Sequence, residues 1–211
     1  MSVFITLEGP DGSGKSTQAP RLAERLRRQG RDVLLTREPG GTAIGDQIRR
    51  VLMSLDNTSM NPRTEILLFS ASRAQIVHEV IRPHLDQGGI VVCDRFYDST
   101  LAYQGYGHRL DLDALKAITK FATGGLVPDV TILLDMPVER GLARRQKAGD
   151  WNRLDAYDVA FHERVREGYF ELVKGEPDRW LIIDADGERE AVEEDVWRAV
   201  EPRLPAADPL A

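Results

Sequence analysis

The sequence predicts an α/β fold in which a five-stranded parallel sheet carries helices on both faces. Two observations lead to this prediction. Short apolar, β-branched runs alternate with segments of helical periodicity along the chain, and a glycine-rich turn separates the first run from the first helical segment. Strands buried on both faces of a sheet are expected to be continuous apolar runs, as these are. The length of 211 residues and the even alternation predict one domain, residues 1–211.

The individual elements follow from hydrophobic spacing. Apolar runs predict strands at residues 3–7, 33–36, 90–93, 130–134 and 180–183. Apolar residues spaced three and four apart predict helices in residues 15–29, 42–54, 62–85, 156–174 and 188–200. The charged stretch 144–155, which contains Gly149, is interpreted as a mobile loop, and the proline- and alanine-rich residues 202–211 as a loose tail.

Composition narrows the possible partners and compartment. The formal net charge of −6 disfavours a nucleic acid polymer as partner, because such polymers are usually bound by a basic face. The single cysteine, Cys93, cannot form an internal disulfide, which fits a reducing cytoplasm. No run approaches the roughly 18 apolar residues of a membrane span, and the N-terminus does not resemble a signal peptide. We therefore expect a cytoplasmic protein without a membrane partner.

Residues 9–16 read Gly-Pro-Asp-Gly-Ser-Gly-Lys-Ser and stand between a predicted strand and a predicted helix. This is the phosphate-binding pattern G-x-x-x-x-G-K-[ST] in the context that its mechanism requires, so the fold is expected to be of the P-loop NTPase type. Lys15 should reach the β- and γ-phosphates of ATP, and the Ser16 hydroxyl should hold Mg²⁺. The predicted nucleotide-binding residues are Gly9, Pro10, Asp11, Gly12, Ser13, Gly14, Lys15, Ser16 and Thr17.

The third predicted strand ends in Asp94 and Arg95. Ligands of an open α/β sheet bind beyond the carboxyl ends of its strands, so both side chains should face the phosphate loop. A carboxylate there can orient Mg²⁺, and an arginine can grip a second phosphate with two hydrogen bonds. A salt bridge that caps the strand is the alternative interpretation. The predicted metal-binding residues are Ser16, Asp94 and Asp11.

Four stretches together resemble the bacterial thymidylate kinase family. They are residues 94–105, which contain Asp-Arg and Ala-Tyr-Gln-Gly, and residues 8–12, 36–42 and 68–75. They occur in the family's order, and the resemblance extends from about residue 3 to residue 170. It implies a fold like that of nucleoside monophosphate kinases with a short lid, and phosphorylation of dTMP to dTDP by ATP with Mg²⁺ in dTTP synthesis for DNA replication. It also implies a homodimer formed through helices that flank the sheet.

The resemblance implies contacts to the nucleoside of the acceptor. Phe69 would stack on the thymine ring, Arg73 would hydrogen-bond a carbonyl of the base, and Tyr103 would crowd the sugar 2′ position. The residues expected along the base edge are Ser99, Thr100 and Gln104. Without the resemblance, Phe69 would be read as a core aromatic and Arg73 as a solvated helix charge.

The same resemblance implies contacts to the acceptor phosphate. Arg95 would hold it, with Arg49 as a second candidate, and Asp11 would help to place the phosphate and its metal ion. Glu38 completes the predicted substrate-binding set, although it could equally be a structural partner of Arg37. Lys15, Arg95 and Asp11 are the predicted catalytic residues on this side of the site.

A further catalytic arginine is expected in the lid, about residues 142–155. The phosphate loop has no arginine of its own, and an arginine between donor and acceptor can be worth about 10³–10⁵ in rate. The candidates are Arg144, Arg145, Lys147 and Arg153. This resembles the family branch whose catalytic arginine sits in the lid. Residues 152–155 read Asn-Arg-Leu-Asp where the family commonly has Asp-Arg-x-Glu, so the sequence does not choose among the candidates.

Two other functions compete with this one. A kinase for another small acceptor shares the phosphate loop, but Arg95 favours an acceptor that already carries a phosphate. A nucleotide-binding switch would do little chemistry, and the set of Lys15, Ser16, Asp94 and Arg95 argues against it. A GTPase would need an Asn-Lys-x-Asp segment to read guanine, and none occurs in the sequence.

Overall fold

Five parallel strands form one sheet in the order β2-β3-β1-β4-β5 in the computed structural model, which describes residues 2–149 and 151–205. The strands are β1 (Val3–Glu8), β2 (Val33–Arg37), β3 (Ile90–Asp94), β4 (Val130–Asp135) and β5 (Trp180–Asp184). Every predicted run lies inside one of them, so the predicted α/β class is confirmed. Leu7 of β1 and Arg37 of β2 both pair with Asp94 of β3, so these three strands end level at the same edge.

Helices cover both faces of the sheet, as predicted. They are α1 (Lys15–Arg28), α2 (Ala43–Met53), α3 (Pro62–Ile76), α4 (Arg82–Asp86), α5 (Tyr97–Thr100), α6 (Leu112–Thr123), α7 (Val138–Ala148), α8 (Val159–Gly175) and α9 (Arg189–Val200). Side-chain caps accept backbone N–H groups at the starts of α2, α3, α6 and α8. Such a cap stabilises a helix by about 1 kcal/mol, and here it fixes where each helix begins.

The core lies in layers on the two sides of the sheet. On one side α1 and α9 pack Leu26 and Trp197 against the strands. On the other side Ile76 of α3 and Phe96 pack against Val91 of β3. Fully burying one such side chain contributes roughly 1.5–3 kcal/mol, so these layers hold the strand ends rigidly where the site is built.

Three helical segments were not predicted. The α5 helix continues into a π-helical segment, Leu101–Gly107, which is buried on nearly every side and therefore shows no helical alternation. The α6 helix was also not predicted from the sequence. The interpretation of residues 144–155 as a loop is wrong for its first part, because α7 extends to Ala148. Most of α7 is exposed and charged, and this composition hid the helix.

The predicted helix at residues 62–85 and the predicted loose tail also need correction. The helix is divided by a π-helical turn at Val77–Ile81. The first residues of the tail are attached to the domain, since Leu204 packs against the core and Arg31 donates to the Pro205 carbonyl at 2.6 Å. Residues 206–211 lie outside the described part of the chain. Among the described residues, no helix is both long and apolar enough to cross a membrane.

Candidate active site

The phosphate loop wraps the N-terminus of α1 at the carboxyl end of β1. Gly9, Gly12 and Gly14 have φ angles of 138°, 78° and 92°, which only glycine adopts easily. Gly12 also packs against Gly141 of α7, because a Cβ on Gly12 would lie 2.1 Å from the Gly141 carbonyl oxygen. The loop therefore lies in direct backbone contact with the first turns of α7.

Lys15 is buried inside the phosphate loop. Its Nζ donates to the carbonyls of Gly9 and Pro10 at 2.9 and 2.7 Å and to the Ser13 hydroxyl at 3.1 Å. Burial, reinforced by the nearby positive charge of Arg95, lowers the pKa of Lys15 to about 7. A phosphate beside the amine would reverse this effect, since an opposite charge favours the charged form. The site is therefore electrostatically prepared for an anion.

Arg95 lies at the floor of the same cleft. It adopts a left-handed backbone with φ 67° directly after β3. Its Nη2 donates to Asp11 at 2.7 Å and its Nη1 to the Ser99 hydroxyl at 2.9 Å. Burial opposes its charge, but neighbours that include Tyr103 and Asp11 hold the pKa of Arg95 well above its usual value. The guanidinium is thus charged, oriented and still partly exposed to the cleft.

Two acidic residues lie beside Arg95: Asp11 pairs with it directly, and Glu8 accepts a hydrogen bond from Ser99, which is a partner of Arg95. Asp11 accepts from Arg95 on one oxygen and from the Tyr103 hydroxyl, at 2.6 Å, on the other. Although burial alone would raise the pKa of Asp11, the charges of Arg95 and Lys15 keep it below its ordinary range. Glu8 is fully buried and accepts from the Phe96 N–H at 2.7 Å. Burial, with the nearby charge of Asp98, raises the pKa of Glu8 to about 7.

The far end of the cleft is lined by Phe69 and Arg73 of α3 together with Glu38. Arg73 is 1% exposed and its Nε donates to Glu38 at 2.7 Å. Burial raises the pKa of Glu38 to about 7, although Arg73 opposes the shift. Glu38 therefore pairs with Arg73 and not with Arg37, and the interpretation of Arg73 as a solvated charge is wrong.

Several buried polar atoms at this end have no hydrogen-bond partner among the described residues. They are Glu38 Oε1, Arg73 Nη1, Ser70 Oγ and Thr100 Oγ1. An unpaired buried polar atom costs roughly 1–3 kcal/mol, so a ligand with matching donors and acceptors would recover that cost. Three of these four residues line the cleft, with Ser70 as the exception. This end can therefore recognise a flat polar group beside the Phe69 ring.

Further predicted residues also line this cleft, whose volume is about 830 Å³. Arg49 lines it and donates to the Pro39 carbonyl at 2.9 Å, and burial, with the charge of Arg37, lowers the pKa of Arg49. Ser16 and Asp94 line its phosphate-loop side, and the Asp94 carboxylate accepts no hydrogen bond from the described residues. Tyr103 and Gln104 also line the cleft.

The arginines predicted for the lid separate into two kinds. Arg144 and Arg145 of α7 line the cleft, where Arg144 donates to the Ala185 carbonyl at 3.1 Å and Arg145 binds Asp155 with two hydrogen bonds. Arg153 is 2% exposed and donates to the Leu52 carbonyl at 2.8 Å. It is not among the residues that line the cleft.

Comparison with known proteins identifies the family. A family model described as thymidylate kinase matches residues 7–196. The chain is 53% identical to the thymidylate kinase of Roseiflexus sp. (strain RS-1), over 97% of this chain and 96% of that protein. It is 51% identical to that of Herpetosiphon aurantiacus, over 97% of each. A solved thymidylate kinase structure from Ehrlichia chaffeensis matches with a TM-score of 0.78 at 33% identity, covering 94% of this chain and 98% of that one.

The chain belongs to the thymidylate kinase family. It is an ATP-dependent kinase that phosphorylates dTMP, and the family resemblance seen in the sequence is confirmed. The roles of individual residues remain predictions, but the geometry corrects one of them. Arg153 was predicted as a possible catalytic arginine of this kinase, and its burial against Glu65 and Leu52 directs it away from the cleft.

Sequence reasoning missed three residues that shape the kinase site. Glu8 and the Tyr169 hydroxyl, 3.0 Å apart, lie beneath Arg95, and Glu65 holds Gln104. Glu8 carried a readable signal, because it is an acidic residue at the end of an otherwise apolar strand. Tyr169 and Glu65 carried none, since each looks like an ordinary member of an amphipathic helix.

Proposed function

We propose that this kinase holds ATP and dTMP end to end in the single cleft, with the acceptor phosphate on Arg95 and thymine against Phe69. The observation that carries the proposal is the position of Arg95, a charged and preoriented guanidinium between the phosphate loop and the polar pocket. A planar guanidinium matches the geometry of a phosphate. The dTMP phosphate would replace a neutral acceptor of Arg95, such as the Ser99 or Tyr103 hydroxyl, while Asp11 keeps its ion pair with the guanidinium.

At the acceptor end, the proposal assigns recognition of thymine to the buried polar atoms beside Phe69. Arg73 Nη1 has a donor to offer to a base carbonyl, and Thr100 Oγ1 lies on the same cleft wall. Cytosine would present an amino group where thymine presents a carbonyl, so donors would face donors and dCMP should be rejected strongly. Uracil lacks only a methyl group, worth about 1–3 kcal/mol, so dUMP should be a poor but real substrate.

At the donor end, the proposal assigns the triphosphate to the phosphate loop, Lys15 and the lid. Arg144 is the leading catalytic lid arginine, because it lines the cleft and is 42% exposed, whereas Arg145 is committed to Asp155. Phosphoryl transfer needs no protein nucleophile. Catalysis would come from positioning and from positive groups placed where negative charge develops.

The residues present fit Mg²⁺. Ser16 and Asp94 offer hard oxygen ligands on the phosphate-loop side of the cleft, and Asp94 is not engaged elsewhere among the described residues. No cluster of three or more potential metal ligands occurs in the part of the chain that is described, which suits an ion held by one or two protein groups plus phosphates. Bound Mg²⁺ would neutralise phosphate charge. Because both Asp11 oxygens accept hydrogen bonds, we assign Asp11 to orienting Arg95.

We further propose that the kinase is a homodimer in the cytoplasm. Large apolar side chains are exposed on α3 and on α2 and α6, which both contact it. They are Ile44 and Val51 of α2, Leu67 of α3 and Phe121 of α6. Phe121 is 90% exposed, and such a group of apolar residues fits a second copy of the chain. Phe121→Glu should halve the mass measured by light scattering. An unchanged mass would contradict this use of α6.

An acceptor panel tests the proposed function. Purified protein with ATP and Mg²⁺ should turn over dTMP fastest, dUMP slowly, and thymidine and dCMP hardly at all. ATP hydrolysis without acceptor should be slow, because transfer depends on both nucleotides. Activity on thymidine without activity on dTMP would overturn the assignment of Arg95, and equal ATP consumption with and without dTMP would overturn the end-to-end arrangement.

A further inference from the structure

The segment between α7 and α8 is clasped to the body of the domain. We call residues 152–157 the clasp. Its Arg153 donates from Nε to the Leu52 carbonyl at 2.8 Å, and its backbone N–H donates to the Met53 carbonyl at 3.3 Å. Arg153 Nη2 also lies 2.5 Å from Glu65 Oε2, with both side chains at most 2% exposed. The clasp is therefore held to α2 by hydrogen bonds to backbone carbonyls and to α3 by a buried ion pair.

Glu65 serves the pocket at the same time. Its Oε1 accepts from Gln104 Nε2 at 2.6 Å, and Gln104 lines the same cleft as Phe69. Its other oxygen faces Arg153 and accepts from the Tyr157 hydroxyl at 3.3 Å. One buried carboxylate thus holds a pocket residue with one oxygen and the clasp with the other.

The clasp also reaches the lid helix. Asp155 accepts two hydrogen bonds from Arg145 of α7, at 3.1 and 2.8 Å, and also accepts from the Asn152 side chain at 2.6 Å. Its side chain is fully buried. Because Arg153 and Asp155 are two residues apart in one tight segment, a displacement of either shifts the other. Polar contacts therefore run from Gln104 through Glu65 to Arg153, and the backbone of residues 153–155 joins them to Asp155 and its partner Arg145, which lines the cleft.

We propose that Glu65 and Arg153 are positioning residues that couple occupancy of the nucleoside pocket to the lid arginines of α7. A ligand that contacts Gln104 would orient Glu65, and Glu65 would fix the clasp and thereby Arg145. The inference rests on the proposed placement of thymine beside Phe69. It gives Arg153 a role that its burial allows, in place of the catalytic role predicted from the sequence.

The chemistry of the ion pair supports this role over simple stabilisation. A buried ion pair is often no more stabilising than apolar side chains of similar size, but removing one partner leaves an uncompensated charge. Glu65 is held charged, because His108, Arg153 and Gln104 together keep its pKa below the ordinary range although burial would raise it. A charged, fully used carboxylate is a rigid connection, so its partners move together.

The experiment measures how strongly dTMP changes the affinity for a non-hydrolysable ATP analogue. Calorimetric titration of the wild type with and without dTMP should show tighter analogue binding when dTMP is present. Arg153→Lys keeps the positive charge, but one ammonium group cannot keep all the contacts of the guanidinium at once. The factor by which dTMP tightens analogue binding should therefore fall by about 2- to 30-fold, the range found for changes along coupled networks. Arg179→Lys is the matched control, since Arg179 forms a buried ion pair with Asp98 and neither residue lines the cleft.

The outcomes separate coupling from stability. An unchanged factor in Arg153→Lys, or no effect of dTMP on the analogue in the wild type, would overturn the proposal. An equal fall in Arg179→Lys would also overturn it, because the effect would then report general destabilisation. If Arg153→Lys does not fold, Glu65→Gln makes the same test from the other partner. None of these results bears on whether dTMP is the acceptor, which the acceptor panel decides separately.

Discussion

The buried carboxyl of Glu8 gives the sharpest prediction about stability. Its pKa rises from 4.5 to about 7, chiefly through burial. The folded protein therefore keeps a proton that the unfolded chain releases, and the resulting stabilisation is full below pH 4.5 and is lost as the pH rises through about 7. One pKa unit corresponds to about 1.36 kcal/mol, so the rise from 4.5 to about 7 changes the free energy of unfolding by about 3 kcal/mol. Glu8→Gln cannot release a proton, and this part of the pH dependence should disappear.

Urea unfolding of the wild type and of Glu8→Gln between about pH 5 and pH 8 measures the effect. We expect the unfolding free energy of the variant to fall by about 3 kcal/mol less than that of the wild type over this range. Glu38, whose pKa is also raised to about 7, contributes to both curves, and most of its contribution cancels in their difference because the charge of Glu8 is the smallest cause of that rise. Parallel curves for the two proteins would refute the reasoning, since Glu8 would then be ionised in the fold.

Three further changes test the site. Arg144→Ala should lower kcat by about 10³-fold or more with little change in KM for dTMP, because the lid arginine would act on the transition state. An unchanged kcat in steady-state kinetics would contradict this role. Gly141→Ala should raise KM for ATP, because the new Cβ would lie 2.2 Å from the Asp11 carbonyl and displace the phosphate loop. An unaltered KM would contradict that contact. Asp94→Asn should raise the Mg²⁺ concentration needed for half-maximal rate, and a Mg²⁺ titration that matches the wild type would exclude Asp94 as a ligand.

Local patterns in the sequence were enough for the sheet and the phosphate loop. The strands are continuous apolar runs, and the glycine turn needs only its own residues to adopt its shape. Arg95 could be placed because the end of a parallel strand is also the edge where ligands bind. These features depend on neighbours in sequence or on a rule of topology, so one chain suffices to predict them.

Pairings between distant residues could not be predicted in this way. Arg73 meets Glu38 across 35 positions, and Arg153 meets Glu65, which lies far earlier in the chain. In the sequence both arginines look like solvated charges, because arginine is rarely buried unless it is paired and the partner is not visible locally. The exposed helix α7 was hidden for a related reason, since its charged surface resembles a loop. The sequence therefore predicted many of the residues that line the cleft but not the buried pairings that hold them.

A crystal structure with dTMP, a non-hydrolysable ATP analogue and Mg²⁺ tests the central claim most directly. The account predicts a dTMP phosphate oxygen within about 2.7–3.2 Å of the Arg95 guanidinium and the pyrimidine ring lying against Phe69. A pyrimidine bound outside this cleft, or an Arg95 side chain that stays on Asp11 and Ser99 without touching the phosphate, would contradict it.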